Sequence, residues 1–457
     1  MNTELKKKYG LMTAIAMVVG IVIGSGVFFK AEKILTATGG NLPLGILAWL
    51  IGGLIMIACS YTFSIMATKY EYVNGVVDYA EASLGRKYGY YIGWFMATIY
   101  YPTLTSVLAW VSARYTCVLL GYSIVGAECM TIAALYLIVS YAVNSLSPVL
   151  AGKFQVSATV IKLIPLILMA IVGTIVGLNN GMIAENFTTV VTPVDTGSAL
   201  FTAVVATAFA YEGWIIATSI NAELRDAKKN LPIALVLGSF IVVIVYILYY
   251  VGLAGAVSNK VMMASGQEGA KLAFETVFTK VSGTLIFVFV IISCLGTLNG
   301  LMLGCTRGMY SLAARNTGIK PEIFKEVSKQ TNMPTNSSIL GLLLCGVWLF
   351  YFYGANLAST PFFGVLSFDS SELPIVTIYA AYVPIFIMLM KNGKDLSGFK
   401  RFVMPLLSIC GCVFMIVAAC FSHKMAVVWY LIIFAGFMLA GVPFYKKDDA
   451  PKVETEE

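Results

Sequence analysis

Apolar residues in this chain run in long blocks separated by short polar segments, without the strict alternation of a half-buried strand. A helix needs about 20 mostly apolar residues to cross a bilayer. The pattern therefore predicts an all-α integral membrane protein, because a helix satisfies its own backbone polar groups in lipid. Twelve predicted transmembrane helices cover 10–37, 43–67, 88–119, 129–147, 155–177, 198–222, 232–256, 281–313, 336–353, 371–390, 402–421 and 424–445.

Composition supports a membrane protein. Of 457 residues, 59% are hydrophobic and 12% are charged, whereas soluble domains are about 45–50% apolar and about 25% charged. So few charges exclude an ordinary soluble enzyme, a disordered chain and a secreted disulfide scaffold. The nine cysteines include no CxxC pair. Cys117 and Cys129 flank one predicted external loop, so a disulfide and simple burial as small hydrophobic side chains both stay open.

The distribution of lysine and arginine predicts the orientation. With the N-terminus inside, 21 basic residues fall on the cytoplasmic side and 6 on the opposite side. The positive-inside rule then makes the N-terminus 1–9 and the tail 446–457 cytoplasmic, in a multi-pass protein of the cell membrane. The net charge of +7 is thus a topology signal and no nucleic-acid partner is expected. The loop 257–280 breaks the trend with three lysines, and we expect an external interfacial helix there.

Two predicted spans contain breaks at mid-depth. The first holds Gly20, Gly24, Ser25 and Gly26, and the sixth holds Glu212 beside a glycine. Glycine pairs favour unwinding, although a GxxxG packing surface is the alternative for the first span. Broken helices at matching positions of two halves indicate a transporter's binding site. Their free N–H and C=O groups suit a carboxylate and an ammonium, as in an α-amino acid.

The eighth predicted span has glycines every fourth residue, at 296, 300, 304 and 308, which is typical of a close helix contact. The polar residues Ser293, Thr297 and Asn299 lie beside this stripe. They either line the cavity or bond a neighbouring helix.

Four segments together resemble the amino acid/polyamine/organocation superfamily: 20–28, 209–214, 223–232 and 293–300. They are most similar to the L-type amino acid transporters and their bacterial serine/threonine and alanine–serine–cysteine exchangers. The resemblance implies a five-plus-five inverted repeat of the leucine-transporter type with broken helices 1 and 6. The first repeat would be 10–177, the second 198–390, and the additional helices 11 and 12 would occupy 402–445.

The resemblance also implies the site. The backbone amides of Ser25 and Gly26 would bind the substrate carboxylate, the carbonyls of Phe209, Ala210 and Glu212 would bind the amine, and Phe209 and Trp214 would gate the site. The expected substrate-binding set is Val22, Ile23, Gly24, Ser25, Gly26, Phe209, Ala210, Tyr211, Glu212, Gly213 and Trp214.

Two features depart from the family pattern. The segment 70–75 lacks the proline and paired glycines usual after span 2. The loop 120–128 has no cysteine. Mammalian relatives join a heavy chain through a cysteine there, so no covalent heavy-chain subunit is expected.

Lys162 lies about seven residues, roughly 10 Å, inside predicted span 5. It either snorkels to the cytoplasm or places a buried ammonium where sodium-coupled relatives hold sodium, as the resemblance implies. If it titrates near neutrality the protein is a proton symporter, and if it stays charged the protein is an exchanger. The expected ion-substituting or proton-coupling set is Lys162, Gly20, Ile21, Ser293, Thr297 and Asn299.

Other ionisable residues have weaker predictions. Arg114 and Arg307 lie near span ends, where they anchor or pair. The side chain of Glu212 faces a neighbouring helix or the pocket, and in the pocket it would favour cationic substrates. Asp369 and Glu372 receive no role, and the single histidine, His423, is expected to be external and solvated.

The sequence offers no enzyme signature: HExxH, GxSxG and the Walker A motif are absent, and no cofactor is expected. A channel would need a filter, which two inverted broken helices do not suggest. We therefore predict a secondary transporter that exchanges small neutral L-amino acids without sodium by alternating access. The alternatives are a proton-coupled symporter of broader specificity and an amino acid/amine antiporter.

Overall fold

The computed structural model describes residues 10–69, 75–215, 224–331 and 333–446, and these contain helices and connecting segments without a β-strand. The helices are α1 (Leu11–Val22), α2 (Gly26–Ala37), α3 (Leu42–Lys69), α4 (Val76–Leu84), α5 (Arg86–Phe95), α6 (Tyr101–Leu120), α7 (Ala127–Leu146), α8 (Pro148–Ile161), α9 (Leu163–Leu168), α10 (Thr174–Asn179), α11 (Met182–Thr188), α12 (Thr196–Tyr211), α13 (Ala227–Ala256), α14 (Asn259–Ser265), α15 (Gly269–Phe278), α16 (Lys280–Ala313), α17 (Pro321–Phe324), α18 (Thr335–Phe352), α19 (Leu373–Asn392), α20 (Met404–His423) and α21 (Met425–Gly441).

Short π-helical segments join or extend several of these helices, at Met96–Tyr100, Met169–Gly173, Tyr353–Leu357 and Phe399–Val403. With these continuations, 10 helices of the described chain are long and apolar enough to cross a membrane. They correspond to predicted spans 2–5 and 7–12. Two shorter apolar helices, Leu11–Gly20 and Thr196–Tyr211, fall in predicted spans 1 and 6. The predicted all-helical membrane fold is therefore confirmed, while the count of twelve crossings stays a prediction.

The two short helices lie at the centre of the bundle. Helix α12 packs against α2 and α3, and α13 packs against α1 and α3. On the other side, α6 packs against α16 and α18. The outer surface carries large exposed apolar side chains, such as Val149 and Val281, which suit contact with lipid.

The segment 257–280 differs from the prediction. It forms two helices, α14 and α15, where one helix was expected. The interfacial position stays a prediction. Ala273 and Phe274 are fully buried, because α15 packs its apolar face against α16. Cys117 and Cys129 are both buried free thiols, in agreement with the simpler of the two interpretations.

Some sequence predictions fall outside the described residues. The N-terminus 1–9, most of the segment 70–75, residues 216–222 of the sixth predicted span and nearly all of the tail 446–457 belong to this group.

Candidate functional site

The first break divides predicted span 1 into two helices. Helix α1 ends at Val22, where Ile23 turns to an extended conformation, and α2 begins at Gly26 with Ser25 as its N-cap. The backbone N–H of Phe29 donates to the Ser25 carbonyl at 2.9 Å. The amide groups before Phe29 therefore lie in the first turn of α2, where a helix has no internal acceptors for them. Such a turn is suited to an anionic group.

The second break follows α12, which ends at Tyr211. Glu212 is extended, with φ −69° and ψ 156°, and Gly213 has a φ of +106°. This positive φ is a conformation that glycine adopts without steric cost. Helix α12 therefore ends in the middle of the predicted sixth span. Its last carbonyl groups have no N–H donors from a following helical turn.

The two breaks touch each other at Gly26. A Cβ atom at this position would lie 2.5 Å from Ala210 Cα and 3.0 Å from the Phe209 carbonyl oxygen. Contacts this short exclude any side chain, so glycine is required for α2 and α12 to approach.

Tyr246 of α13 joins the same two breaks. Its hydroxyl oxygen lies 3.0 Å from the carbonyl oxygen of Val22 and 3.0 Å from that of Ala210. A hydroxyl carries one hydrogen, so the two carbonyls share one donor. The family resemblance implies that the Ala210 carbonyl binds the substrate amine, and in this structure that carbonyl faces Tyr246.

A cavity of about 230 Å³ lies between the breaks. Its wall is mostly apolar, with Leu104, Leu108 and Phe209 among the side chains. The predicted site residues that line it are Val22, Gly24, Ser25, Gly26, Phe209, Ala210, Glu212, Gly213, Lys162 and Thr297. The lining residues absent from the prediction are Tyr100, Leu104, Leu108, Gln155, Gly300, Leu301 and Leu303.

Three residues of the predicted substrate set lie outside this lining. Ile23 is fully buried. The Tyr211 hydroxyl donates to the Trp49 carbonyl at 2.8 Å, which directs the side chain toward α3. Trp214 is fully buried, with its ring 5.7 Å from that of Phe63. The assigned role of Trp214 as a gate stays a prediction.

Lys162 interrupts its span between α8 and α9, three residues before Pro165, whose nitrogen cannot donate to the preceding turn. The side chain is buried, and its ammonium donates a hydrogen bond to the Gly20 carbonyl. Gly20 is in the last turn of α1, so its carbonyl has no helical donor. The ammonium is thus directed into the bundle and not toward the membrane surface.

The other members of the predicted ion-substituting set differ in placement. Thr297 lines the cavity and donates to the Ser293 carbonyl at 3.1 Å. Ser293 Oγ is buried, with no hydrogen-bond partner in the described chain. Asn299 accepts a hydrogen bond from Asn144 at 2.8 Å and donates to the Ala151 carbonyl at 3.3 Å, so it connects α7 and α8 to α16. For Ile21, the structure describes the backbone alone.

Glu212 faces both a neighbouring helix and the cavity. The Tyr100 hydroxyl donates a hydrogen bond to Glu212 Oε1. Glu212 Oε2 is buried and has no hydrogen-bond partner among the described residues, as is also true of Ser25 Oγ. Tyr100 ends the π-helical segment Met96–Tyr100, and such segments are frequent at functional sites. The hydroxyls of two adjacent tyrosines in an apolar block are the signal that could have indicated this residue.

Comparison with known proteins decides the family. A family model described as amino acid permease matches residues 9–442. The chain belongs to the amino acid permease family. It is 29% identical to the serine/threonine exchanger SteT of Bacillus subtilis (strain 168), over 97% of this chain and 98% of that protein.

More distant relatives extend the comparison. The glutamate/serine transporter AimA of the same organism is 25% identical, over 86% of this chain and 73% of that protein. The human b(0,+)-type amino acid transporter 1 is 24% identical, over 73% of this chain and 68% of that protein. The superfamily resemblance is confirmed, and with it the leucine-transporter-like fold. This permease is an amino acid transporter and not an enzyme.

On the predicted external side, α2 of the permease joins the segment before α19 through charged groups. Lys30 Nζ lies 2.6 Å from Glu372 Oε1, and both side chains are buried. Lys33 Nζ lies 3.0 Å from Asp369 Oδ2 and 2.6 Å from Glu372 Oε1. Burial alone would raise the pKa of the Asp369 carboxyl, but the nearby Lys33 ammonium holds this pKa below its usual value.

His423 belongs to this external cluster, in contrast to the predicted solvated position. Its Nε2 lies 3.1 Å from Glu372 Oε2, because α20 ends beside the start of α19. Arg114 is also buried, and its guanidinium lies 4.9 Å from the ring centroid of Phe29 and 5.3 Å from that of Trp110. Its Nε and Nη1 have no hydrogen-bond partner in the described chain, so the guanidinium stacks on rings rather than forming an ion pair.

Proposed function

We propose that the permease exchanges small neutral L-amino acids by alternating access, without sodium, at the cavity between the two helix breaks. One observation carries this proposal: the first turn of α2 and the end of α12 meet around a single cavity. An α-amino acid presents a carboxylate and an ammonium about one carbon apart. Free amides at Ser25 and Gly26 suit the first group, and carbonyls at the end of α12 suit the second.

The size and the lining of the cavity favour a small substrate. Its volume of about 230 Å³ is below the range of about 300–1,000 Å³ that holds drug-sized ligands. Leu104, Leu108 and Phe209 would contact an apolar side chain. The relative named as a serine/threonine exchanger supports both the small substrate and exchange as the mode of transport.

Lys162 supports sodium independence. Its ammonium donates a hydrogen bond to the Gly20 carbonyl of α1, next to the first break. The resemblance places the sodium ion of coupled relatives at this position. A fixed cation there would make an added ion unnecessary. If Lys162 instead released its proton in each cycle, the permease would be the proton-coupled symporter that is the runner-up. The amino acid/amine antiporter fits less well, because the amides of α2 would have no carboxylate to bind.

Glu212 favours a second candidate function, the exchange of amino acids whose side chains carry a hydrogen-bond donor. Its Oε2 atom is a buried acceptor without a partner in the described chain, and the residue lines the cavity. A buried acceptor without a donor is costly. Substrates with a donor on the side chain, whether a hydroxyl or a cationic group, would supply one. Serine would be a substrate under both candidate functions, because it is small and neutral and its hydroxyl is a donor.

Further predictions accompany the proposal. Residues 10–177 and 198–390 would form the two inverted repeats, with 402–445 added at the periphery. Both termini would be cytoplasmic in the cell membrane. No covalent heavy chain would be needed, because the loop 120–128 has no cysteine.

Counterflow in proteoliposomes tests the proposal. Vesicles preloaded with unlabelled serine in sodium-free buffer would take up labelled serine, and empty vesicles would not. Competition by alanine, threonine, leucine, arginine and glutamate would then rank side-chain size and charge. Strong competition by alanine and threonine, with weak competition by leucine, supports the proposal. Strong competition by arginine would favour the second candidate, and absence of counterflow with every amino acid would contradict exchange.

A further inference from the structure

A second cavity adjoins the proposed substrate site. It has a volume of about 220 Å³ and shares Gly300 and Leu303 with the wall of the first cavity. From there it extends along α16 past Gly304 and Arg307 to Ser311. These positions recur every three or four residues, so one face of α16 lines the cavity. The cavity therefore continues from the substrate site toward the end of α16 that is predicted to be cytoplasmic.

Arg307 is the charged residue in the described lining of this second cavity. Its side chain is exposed, and the structure records no ion pair or hydrogen bond of its guanidinium in the part of the chain that it describes. In contrast, each buried or half-buried cation discussed above has a carbonyl, a carboxylate or a ring as a partner. The positive charge of Arg307 is consequently available to a ligand.

The position of Arg307 relates it to the substrate site. Arg307 follows Leu303 by four residues, which is one helical turn or about 6 Å along α16. Tyr101 also lines this cavity, and its ring packs on α16 at Gly304, where an added Cβ atom would lie 2.9 Å from the ring. A small molecule that moves through this cavity from the predicted cytoplasmic side would therefore pass Arg307 before it reaches Gly300 and Leu303 of the first cavity.

We propose that Arg307 forms a capture site for the carboxylate of cytoplasmic amino acids in this second cavity, before they reach the site between the helix breaks. The inference rests on the proposed function, because it needs an amino acid substrate. A guanidinium presents paired N–H donors that match the two oxygens of a carboxylate. An exposed site of this kind binds weakly, so the substrate can leave it for the first cavity. The capture site would determine the apparent affinity on the cytoplasmic face and leave the external face unaffected.

Membrane vesicles of opposite orientation test this inference. Labelled alanine is supplied outside inside-out vesicles, which present the cytoplasmic face, or outside right-side-out vesicles, both preloaded with saturating alanine. In Arg307→Gln the KM in inside-out vesicles should rise about tenfold, with Vmax retained. The KM in right-side-out vesicles should stay at the wild-type value, which also shows that the variant is folded.

Ionic strength separates electrostatic capture from a structural role. The wild-type KM on the cytoplasmic face should rise with salt because screening weakens an exposed charge pair. That dependence should be absent in Arg307→Gln and retained in Arg307→Lys, which keeps the charge. Lys325→Gln is the matched control, since Lys325 is exposed beyond the cavity, and it should behave as the wild type.

A variant that keeps the arginine covers the case in which Arg307→Gln does not fold. Ser311→Asp would place a carboxylate one turn from Arg307 and should raise the cytoplasmic KM by pairing with it. Equal cytoplasmic KM values in the wild type and both variants would overturn the capture site alone. An equal rise of KM on both faces would also overturn it, because the effect would then lie at the first cavity. Absence of amino acid exchange by the wild type in either vesicle type would overturn the proposed function itself.

Discussion

The ammonium of Lys162 donates a hydrogen bond to the carbonyl of Gly20, 142 residues earlier in the chain. The helix α1 ends two residues after Gly20, so this carbonyl has no backbone donor of its own. Lys162 supplies the missing donor, and in its protonated form it carries a positive charge beside the first break. The same contact connects the α8–α9 junction to the helix end that lines the proposed substrate cavity.

Replacing Lys162 should therefore impair transport. In Lys162→Ala, the Gly20 carbonyl loses its donor and the break loses its cation, so we expect exchange to fall at least tenfold. The measurement is counterflow of labelled serine in proteoliposomes. Lys153→Ala is the matched control on α8, because Lys153 is exposed, and it should retain wild-type flux. Near-wild-type flux in Lys162→Ala would remove Lys162 from the mechanism.

The close approach at Gly26 gives a second prediction. In Gly26→Ala, the added methyl group would lie 2.5 Å from Ala210 Cα, so α2 and α12 would have to separate. We expect substrate binding to be lost, as measured by serine-dependent thermal stabilisation of the purified permease. Gly152→Ala adds the same methyl group where nothing lies within 4 Å and should bind normally. Wild-type binding by Gly26→Ala would exclude this contact from the site.

Glu212 and Tyr100 test the choice of substrate. Glu212→Gln removes the charge and keeps a side chain that accepts from Tyr100, so exchange of alanine should persist. If donor-bearing side chains pair with Glu212, competition by serine relative to alanine should weaken several-fold. Tyr100→Phe removes the hydroxyl that donates to Glu212 Oε1 and should lower the flux of all substrates. An unchanged serine-to-alanine ratio in Glu212→Gln would rule out contact between Glu212 and the substrate side chain.

The external cluster should contribute to stability. Glu372→Gln leaves the buried Lys30 without its carboxylate, and removing one partner of a buried ion pair costs about 3–5 kcal/mol. The loss should be measured by denaturant unfolding in detergent, and Lys30→Met combined with Glu372→Gln should recover part of it. Asp395→Asn removes the exposed pair with Lys69 and should change stability little. A larger effect at Asp395 than at Glu372 would contradict this account of the cluster.

Acid should weaken the same cluster through Asp369. Because the pKa of Asp369 is lower in the folded protein, its contribution to stability is complete above its ordinary pKa of about 3.9. This contribution is lost as the pH falls through the folded value. Melting temperatures should show no effect of Asp369 titration between about pH 5 and 8 and a decline below about pH 4. Asp369→Asn should flatten that decline, and an unchanged acid profile in this variant would contradict the assignment.

The features that could be predicted from the sequence are those set by the residues of a single segment. Glycine pairs and a carboxylate inside apolar blocks indicated where α1 and α12 end. The depth of Lys162 likewise followed from its position in a span. The residues that the sequence analysis missed depend on contacts between distant segments. A single tyrosine in an apolar span has no periodic signal, so Tyr246 could not be recognised.

The ion pairs between distant residues could not be predicted from the sequence either. Lys30 and Glu372 are 342 residues apart, and nothing in either segment identifies the other. His423 lies next to Glu372 for the same tertiary reason. Similarly, the sequence placed the Ala210 carbonyl at a helix end but could not show that Tyr246 lies beside it.

The central claim is that Lys162 provides a fixed cation beside the first break, so that transport is exchange and needs neither sodium nor protons. Uptake of labelled alanine into proteoliposomes in sodium-free buffer tests it most directly. Vesicles would be empty or preloaded with alanine, each with and without an inward proton gradient. The account predicts uptake that requires internal alanine and ignores the gradient. Uptake into empty vesicles driven by the gradient would contradict it and would make the permease a proton symporter.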